Sequence, residues 1–405
     1  MGIRLHCEAT RAPDGSYEIR PVATSCYVPS PFLLTRSAAR LWEVVAAIAT
    51  LPPEGQEVVL GDLDPRLRPH VVAALAKLER AGAIEVTGQA VPGLALPLAT
   101  LHLEITHRCN FSCRACYLGA ALAPARAARD EGTIAEWTTV IDDAARLGCT
   151  HAVVTGGEPF VRRDVLEILR ALARRRIGIE INTNASCITD EIADAIFEIG
   201  VQGVEVTLYG YDRASTAGYT RVVGSFEGTV RGVRRLAARG VPVQVKYFAT
   251  AATAGGIDVA RATIEALGVP LVGKGHAIHA DVFSGVAPPE ELRPDLAVPE
   301  MLQEAALPCS PGSDGLVIGP QGGARPCPKL AIPLGNVFDE GLAAVWERSP
   351  AVKAFRAFWP RWCADEGYRQ GARIASRCPA ARLLSRPTGL GELEARWREV
   401  RPELG

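Results

Sequence analysis

The sequence predicts an α/β chain: a partial (β/α)6 barrel, preceded by a winged-helix-like α+β unit and followed by a cysteine-rich C-terminal segment. Three observations predict it. From Leu101 onward, apolar strand patterns alternate with helical patterns through six β-α units. Before residue 98, two helical patterns precede a short strand. After residue 284, a proline-rich stretch opens a segment of weak secondary-structure signal that holds four cysteines.

The first unit spans 1–97. Apolar segments at 17–22 and 24–28 are expected to pair as a hairpin, and helical patterns cover 35–51 and 66–81. In the second helix Val71, Leu75, Leu78 and Ala81 keep near-helical spacing. Gly82 then stops the helix before a strand, and VPGLALP (91–97), with two prolines, reads as a linker. The barrel covers 98–284. Its strands read 101–106, 151–155, 177–183, 203–208, 242–250 and 270–275, with helices at 131–147, 163–175, 189–199, 226–239 and 257–267. A doubly wound open sheet fits the same pattern. Both place chemistry at the C-terminal strand ends. GVAPPEELRPDLAVPE (285–300) opens the third unit, 285–385; a tail follows at 386–405, whose last residues, GELEARWREVRPELG, read as an amphipathic helix with a frayed end.

A length of 405 residues, 48% hydrophobic and 22% charged, suits a globular chain of two or three units. A formal charge of −1 gives no electrostatic case for nucleic acid or an anionic membrane. No apolar run approaches spanning length, and the N-terminus lacks a signal-peptide core, so a cytoplasmic location is expected. Eleven cysteines then need another role, because a reducing compartment disfavours disulfides. Seven are grouped: Cys109, Cys113 and Cys116, then Cys309, Cys327, Cys363 and Cys378. Grouped cysteines point to metal ligands.

Cys109-Asn-Phe-Ser-Cys113-Arg-Ala-Cys116 begins just after the first barrel strand. Three thiolates on one loop can wrap a cubane cluster, leaving its fourth iron open to a cofactor or substrate. The alternative is a structural zinc with a distant fourth ligand such as His107, although zinc loops usually pair two separated CxxC knuckles.

This CxxxCxxC loop resembles the signature of the radical S-adenosylmethionine (SAM) superfamily. Gly156-Gly157-Glu158-Pro159 matches its GGEP motif, which implies binding of the methionine amino group by turn carbonyls and the Glu158 charge. INTNAS (181–186) resembles the TNG segment, with Ala185 replacing the glycine and Asn184 a cofactor contact. VTLYG (206–210) resembles the SLDG segment, with Thr207 for serine and Tyr209 for aspartate. Gly224-Ser225-Phe226 matches a downstream GSF element. Two positions depart: Ala115 stands where an aromatic or His is common, with Tyr117 following directly, and Thr216-Ala217 replaces a His-Asp pair. The resemblance covers roughly 98–280 and implies a [4Fe–4S] cluster and SAM. The implied chemistry is reductive cleavage to methionine and a 5′-deoxyadenosyl radical, which abstracts a substrate hydrogen. An electron donor such as flavodoxin or ferredoxin is implied with it.

The second cysteine group, with Gly322 five residues before Cys327 and GNVFDEGLAAVW after it, resembles the C-terminal SPASM extension or its shortened twitch form. Full versions hold two clusters. Four cysteines match one auxiliary [4Fe–4S] cluster with every position filled, so the shortened form is expected; a zinc site on the same four is the alternative. Such a cluster either accepts an electron from a substrate radical or shapes the pocket. The N-terminal unit resembles peptide-binding winged-helix domains related to the pyrroloquinoline-quinone peptide chaperone, which implies recruitment of a precursor peptide by strand addition. Crosslinking, thioether formation, epimerisation or oxidation of that ribosomally made peptide is the expected outcome. A packing unit without ligand is the alternative there. For the whole chain the rivals are radical chemistry on a free small molecule and a zinc-stabilised binding protein without catalysis.

Among single residues, Cys187 is a candidate hydrogen donor or else a buried free thiol, and Lys246 is expected inside the barrel, where it needs a partner or a substrate carboxylate. His276 and His279 are possible proton acceptors.

Overall fold

Strand order decides between the two sheets that the pattern allowed. The computed structural model describes residues 2–5, 7–11, 17–21, 32–34, 36–51, 56, 75, 84–87, 98–125, 130–250, 252–273, 312, 315–365 and 395. Strands β1 (Gly2–Leu5), β2 (Cys7–Arg11), β3 (Tyr17–Pro21) and β4 (Phe32–Leu34), helix α1 (Arg36–Ala49) and β5 (Ile84–Thr87) precede the barrel. The barrel strands are β6 (Thr100–Glu104), β9 (His151–Thr155), β10 (Gly178–Thr183), β11 (Gly203–Leu208), β12 (Val243–Tyr247) and β13 (Leu271–Gly273). Short β7 (Arg108–Cys109) and β8 (Ala123–Pro124) pair with each other after β6. The six barrel strands lie side by side in chain order, all parallel. With no reversal of order, right-handed crossovers put every helix on one face. A doubly wound sheet needs a reversal, so the sheet is the singly wound, partial-barrel kind.

The helices between the barrel strands are α2 (Ile134–Arg146), α3 (Val165–Arg174), α4 (Asp190–Ile199), α5 (Arg213–Thr220), α6 (Ser225–Ala238) and α7 (Ile257–Glu265). Local chemistry sets their ends. Thr133 and Glu136 form a capping box on α2. Thr189 caps α4, which stops at Gly200 in the left-handed conformation. Alternation does the rest: Leu101, Leu103, Val154, Ile181, Val206 and Val245 point outward into a core shared with Trp137, Ile141, Ile168 and Leu236. Each such burial contributes about 1.5–3 kcal/mol. The opposite, inward face carries His102, Glu104, Glu180, Asn182, Glu205 and Lys246.

The C-terminal segment is more regular than its sequence signal. Strand β14 (Gly315–Ile318) joins β6 in parallel, with Gly315 opposite Thr100, and β15 (Gly323–Arg325) and β16 (Gly335–Asn336) continue the same sheet antiparallel. Helices α8 (Val337–Glu340), α9 (Leu342–Arg348) and α10 (Pro350–Asp365) follow.

Three readings are corrected. Strand β3 pairs with β2 on one edge and β4 on the other, and β2 was not read as a strand; the segment 24–28, expected as its partner, lies outside the described residues. Helix α5 was missed. Its start is an Asp212–Ser215 capping box, hidden inside a stretch read only for its motif. The C-terminal elements were missed because their strands are short and two-sided. Helix α1 and β5 lie where expected, and β5 pairs with β1. Of the expected helix at 66–81 only Leu75, and of the tail only Ala395, is described; both are helical. His276 and His279 lie outside the described residues.

Candidate cofactor site at the barrel mouth

The cysteine loop leaves β6 and is zipped backbone to backbone onto the turn after β9. Gly157 N–H donates to Thr106 O at 2.8 Å and Glu158 N–H to Arg108 O at 2.9 Å. The approach is so close that a Cβ on Gly157 would stand 2.3 Å from Arg108 O, and one on Gly156 (φ +138°) 2.1 Å from Thr106 O. The paired glycines are therefore required by the contact between the two loops. On its far side the cysteine loop is held by α5: Ser112 N–H donates to Thr220 O and Arg114 N–H to Tyr219 O, both at 3.0 Å.

Glu158 ties in a third loop. Fully buried, it accepts from Phe160 N–H (3.1 Å), Thr183 Oγ1 (2.7 Å) and Asn184 N–H (2.8 Å). Burial pushes its carboxyl up to about 7 against these hydrogen bonds. Pro159 starts the single helical turn beneath it. Asn184 then reaches back: its Nδ2 donates to Asn110 Oδ1 at 2.9 Å and lies 3.9 Å from Cys109 Sγ. Ser186 Oγ bridges Asn184 Oδ1 and Asn110 Nδ2 at 2.7 Å each. Ala185 sits between them with φ 58°, the left-handed conformation for which a glycine would ordinarily be used.

Cys109, Cys113 and Cys116 are half-buried and not joined in disulfides, and they feel one another electrostatically. Burial, with Glu158 and then Cys116 adding to it, pushes Cys109 up to about 12. Burial, Cys116 and Cys109 raise Cys113. Burial thus favours the neutral thiol at Cys109 and Cys113, and iron ligation would offset it by replacing the proton with cationic charge. Among the described residues no three His, Cys, Asp or Glu side chains converge on one metal-ion position, as zinc at Zn–S distances of about 2.3 Å requires. His107 is turned onto Glu104 instead, with Nε2 and Oε2 3.1 Å apart. Three cysteine sulfurs on one loop are the donor chemistry that an iron–sulfur cluster takes.

Residues beyond the motifs complete the mouth. The Tyr117 hydroxyl lies 3.1 Å from Glu104 Oε1 and 3.2 Å from Gly156 O, able to donate to either. Glu104 also takes Arg325. Burial opposes ionisation there, yet the His107 hydrogen bond and the Arg325 charge hold the Glu104 carboxyl down at about 2. Tyr209 stacks on Tyr219 with centroids 5.0 Å apart, and Phe248 closes the triad behind Cys113 and Ala115. Cys187 is half-buried near Cys109 and Glu158, its thiol pushed up to about 11 chiefly by burial. Thr207 and Lys246 occupy the interior face, in register with each other. Lys246 pairs with Glu205. Glu104 and Arg325 were overlooked in the sequence, although a charge at an inward position of a buried strand was the available signal.

Residues 103–253 match the model of the radical SAM superfamily. The chain carries a radical SAM domain. Residues 309–378 match SPASM, an iron–sulfur cluster-binding domain, so the matched span begins at Cys309 and ends at Cys378. The radical SAM domain brings SAM and a [4Fe–4S] cluster, and the SPASM domain an auxiliary iron–sulfur cluster. Of the four cysteines in that span, Cys327 is half-buried and in no disulfide, just after β15. Cys363 lies in α10, and Cys309 and Cys378 fall outside the described residues. Gly322 (φ +82°) turns β14 into β15 where a Cβ would meet Asn336 Oδ1 at 2.4 Å.

The PqqA peptide cyclase of Gluconobacter oxydans (strain 621H) is 24% identical over 324 residues, spanning 72% of this chain and 88% of that protein. The AdoMet-dependent heme synthase of Nitratidesulfovibrio vulgaris is 29% identical over 147 residues, 35% of this chain and 36% of its own. SuiB of Streptococcus suis, solved with its precursor peptide SuiA, shares the fold: TM-score 0.54 at 14% identity, covering 87% of this chain and 91% of SuiB. The radical SAM and SPASM domains together make the chain a radical SAM enzyme. Among the described residues no helix is long and apolar enough to cross a membrane.

Proposed function

We propose that this radical SAM enzyme modifies a ribosomally made precursor peptide. The observation that carries the reading is that its likeness to a PqqA peptide cyclase runs across 72% of the chain, well beyond the radical SAM domain itself. The SuiB fold likeness, extending over 87% of the chain, supports it. In this reading residues 1–97 recruit the peptide, 98–284 form the radical barrel, 285–385 the auxiliary-cluster unit and 386–405 a tail. Modification of a free small molecule is the second reading, favoured by the heme synthase relative, whose likeness is confined to 147 residues.

Cys109, Cys113 and Cys116 hold the radical cluster; Cys309, Cys327, Cys363 and Cys378 hold the auxiliary one. Gly156, Gly157, Glu158, Pro159, Asn184, Thr207 and Tyr117 form the SAM pocket. When bound, cluster and SAM supply reductive C–S cleavage and a 5′-deoxyadenosyl radical that takes a substrate hydrogen. The chain's own part is to fix geometry. Glu158 locks the third loop, Asn184 and Asn110 brace Cys109, and the Tyr209–Tyr219–Phe248 triad keeps water from the Cys113 side. Cys187, kept protonated by burial, is our candidate to return a hydrogen atom to a product radical. A flavodoxin or ferredoxin in the cytoplasm supplies the electron.

The test is anaerobic reconstitution of the full chain, followed by incubation with SAM, reductant and a panel of candidate precursor peptides. Deoxyadenosine release with a mass change in the peptide is expected. About eight irons per chain should fall to about four in the Cys109/Cys113/Cys116→Ala triple variant. An unchanged peptide that also fails to bind the chain would sink the peptide reading.

A further inference from the structure

A polar row crosses the barrel interior one layer below the mouth. Asn182 on β10, Glu205 on β11 and Lys246 on β12 all point to the inward face: Asn182 lies in register with Glu205, and Lys246 with Thr207. Lys246 pairs with Glu205, and their side chains are only 16% and 15% exposed. The Asn182 Oδ1 beside them is buried and accepts no hydrogen bond among the described residues. Asn182 is two residues before Asn184, which braces Cys109, so the row lies roughly 7 Å along the strands from the cysteine loop.

Fold stability does not require this row. A desolvated ion pair is often replaced by apolar residues at no loss, and a buried amide oxygen without a donor is a standing cost to the fold. Both features make sense for a site that receives a ligand. The Lys246 ammonium has three donors, so its pairing with Glu205 is compatible with a second anion at the same nitrogen. The Asn182 carbonyl needs an N–H. An acidic side chain on a peptide, with the N–H groups of its own backbone, offers both together.

We propose that Lys246 and Asn182 form a specificity site for an acidic residue of the substrate: Lys246 binds its carboxylate, Glu205 orients the lysine, and Asn182 Oδ1 accepts a peptide N–H. This rests on the precursor-peptide reading above. A free dicarboxylate shares the carboxylate chemistry but lacks the N–H.

The test is equilibrium binding to the reconstituted, SAM-loaded full chain by anaerobic calorimetry, with three probes: acetyl-Ala-Glu-Ala-amide, acetyl-Ala-Gln-Ala-amide and glutarate. The Glu peptide should bind at least tenfold tighter than the Gln peptide. Lys246→Met should erase that preference and Lys246→Arg should keep most of it. If Lys246→Met fails to fold, Lys246→Met/Glu205→Leu removes both charges and serves in its place. Equal binding of the two peptides, or a preference that survives the loss of Lys246, overturns the specificity site and leaves the peptide reading standing. Lys246-dependent binding of glutarate with neither peptide bound overturns the peptide reading and the Asn182 role while keeping the carboxylate site. No binding of any probe overturns the site altogether.

Discussion

Arg325 on β15 donates to Glu104 on β6, and the two side chains are 8% and 0% exposed. The carboxylate thereby joins the SPASM hairpin, two residues before Cys327, to the loop that carries Cys116 through Tyr117. Removing one partner leaves the other charge buried. Glu104→Gln is expected to cost about 3–5 kcal/mol in urea denaturation, whereas Glu104→Leu/Arg325→Met costs far less than the sum of its single changes. Additive losses would mean the pair is not coupled.

The pH profile of the apoprotein should carry two limbs. Glu104 is lowered from 4.5 to about 2, so its stabilisation is present above 4.5 and lost as pH falls toward 2, about 3 kcal/mol in all. Glu158 is raised from 4.5 to about 7, so folding takes up a proton there and stability falls as pH rises between those values. Glu158→Gln should flatten the limb between pH 4.5 and 7 in thermal melts while lowering stability throughout, since an amide N–H₂ replaces one acceptor. An unaltered upper limb would show that Glu158 does not produce it.

Gly157→Ala forces a methyl against the Arg108 carbonyl, which is backbone and has nowhere to move. A loss of about 1–3 kcal/mol is expected, and iron uptake should drop because the two loops part. Gly200→Ala is the control. Its φ of +77° strains the helix end but its Cβ meets open space, so stability falls by about 1–2 kcal/mol with iron uptake unchanged. Equal iron in both variants would remove the loop contact from the account.

At Ala185 opposing terms nearly cancel. Relief of its φ of 58° is worth about 1–2 kcal/mol. Loss of a buried methyl costs about 0.8 kcal/mol, and added chain entropy a further 0.5–1 kcal/mol. Ala185→Gly should therefore change the denaturation midpoint very little. A loss above about 2 kcal/mol would mean the methyl does more than fill space.

Much of the barrel was legible because its strands are buried on one face and its helices carry caps. HAVVT and GVEVTL match β9 and β11 end for end. The cysteine loop and GGEP were legible because their spacing is local. What was not legible is long-range. Nothing near Glu104 in the chain announces Arg325, 221 residues away. Tyr209 and Phe248 follow the ends of β11 and β12, and Tyr219 comes from the missed α5. Strands as short as β15 and β16 carry too few alternations to be read before their partners are known.

The pairing of β14 with β6 bears on how the chain must be made. β6 lies between β9 and β14, so one of its edges stays bare until residues 315–318 have been synthesised, more than two hundred positions later. In that interval its free N–H and C=O groups are a template for any passing strand. Expression of the barrel cut after β13 should thus give an associating product, and slower translation beyond β13 should lower the yield of soluble full-length chain.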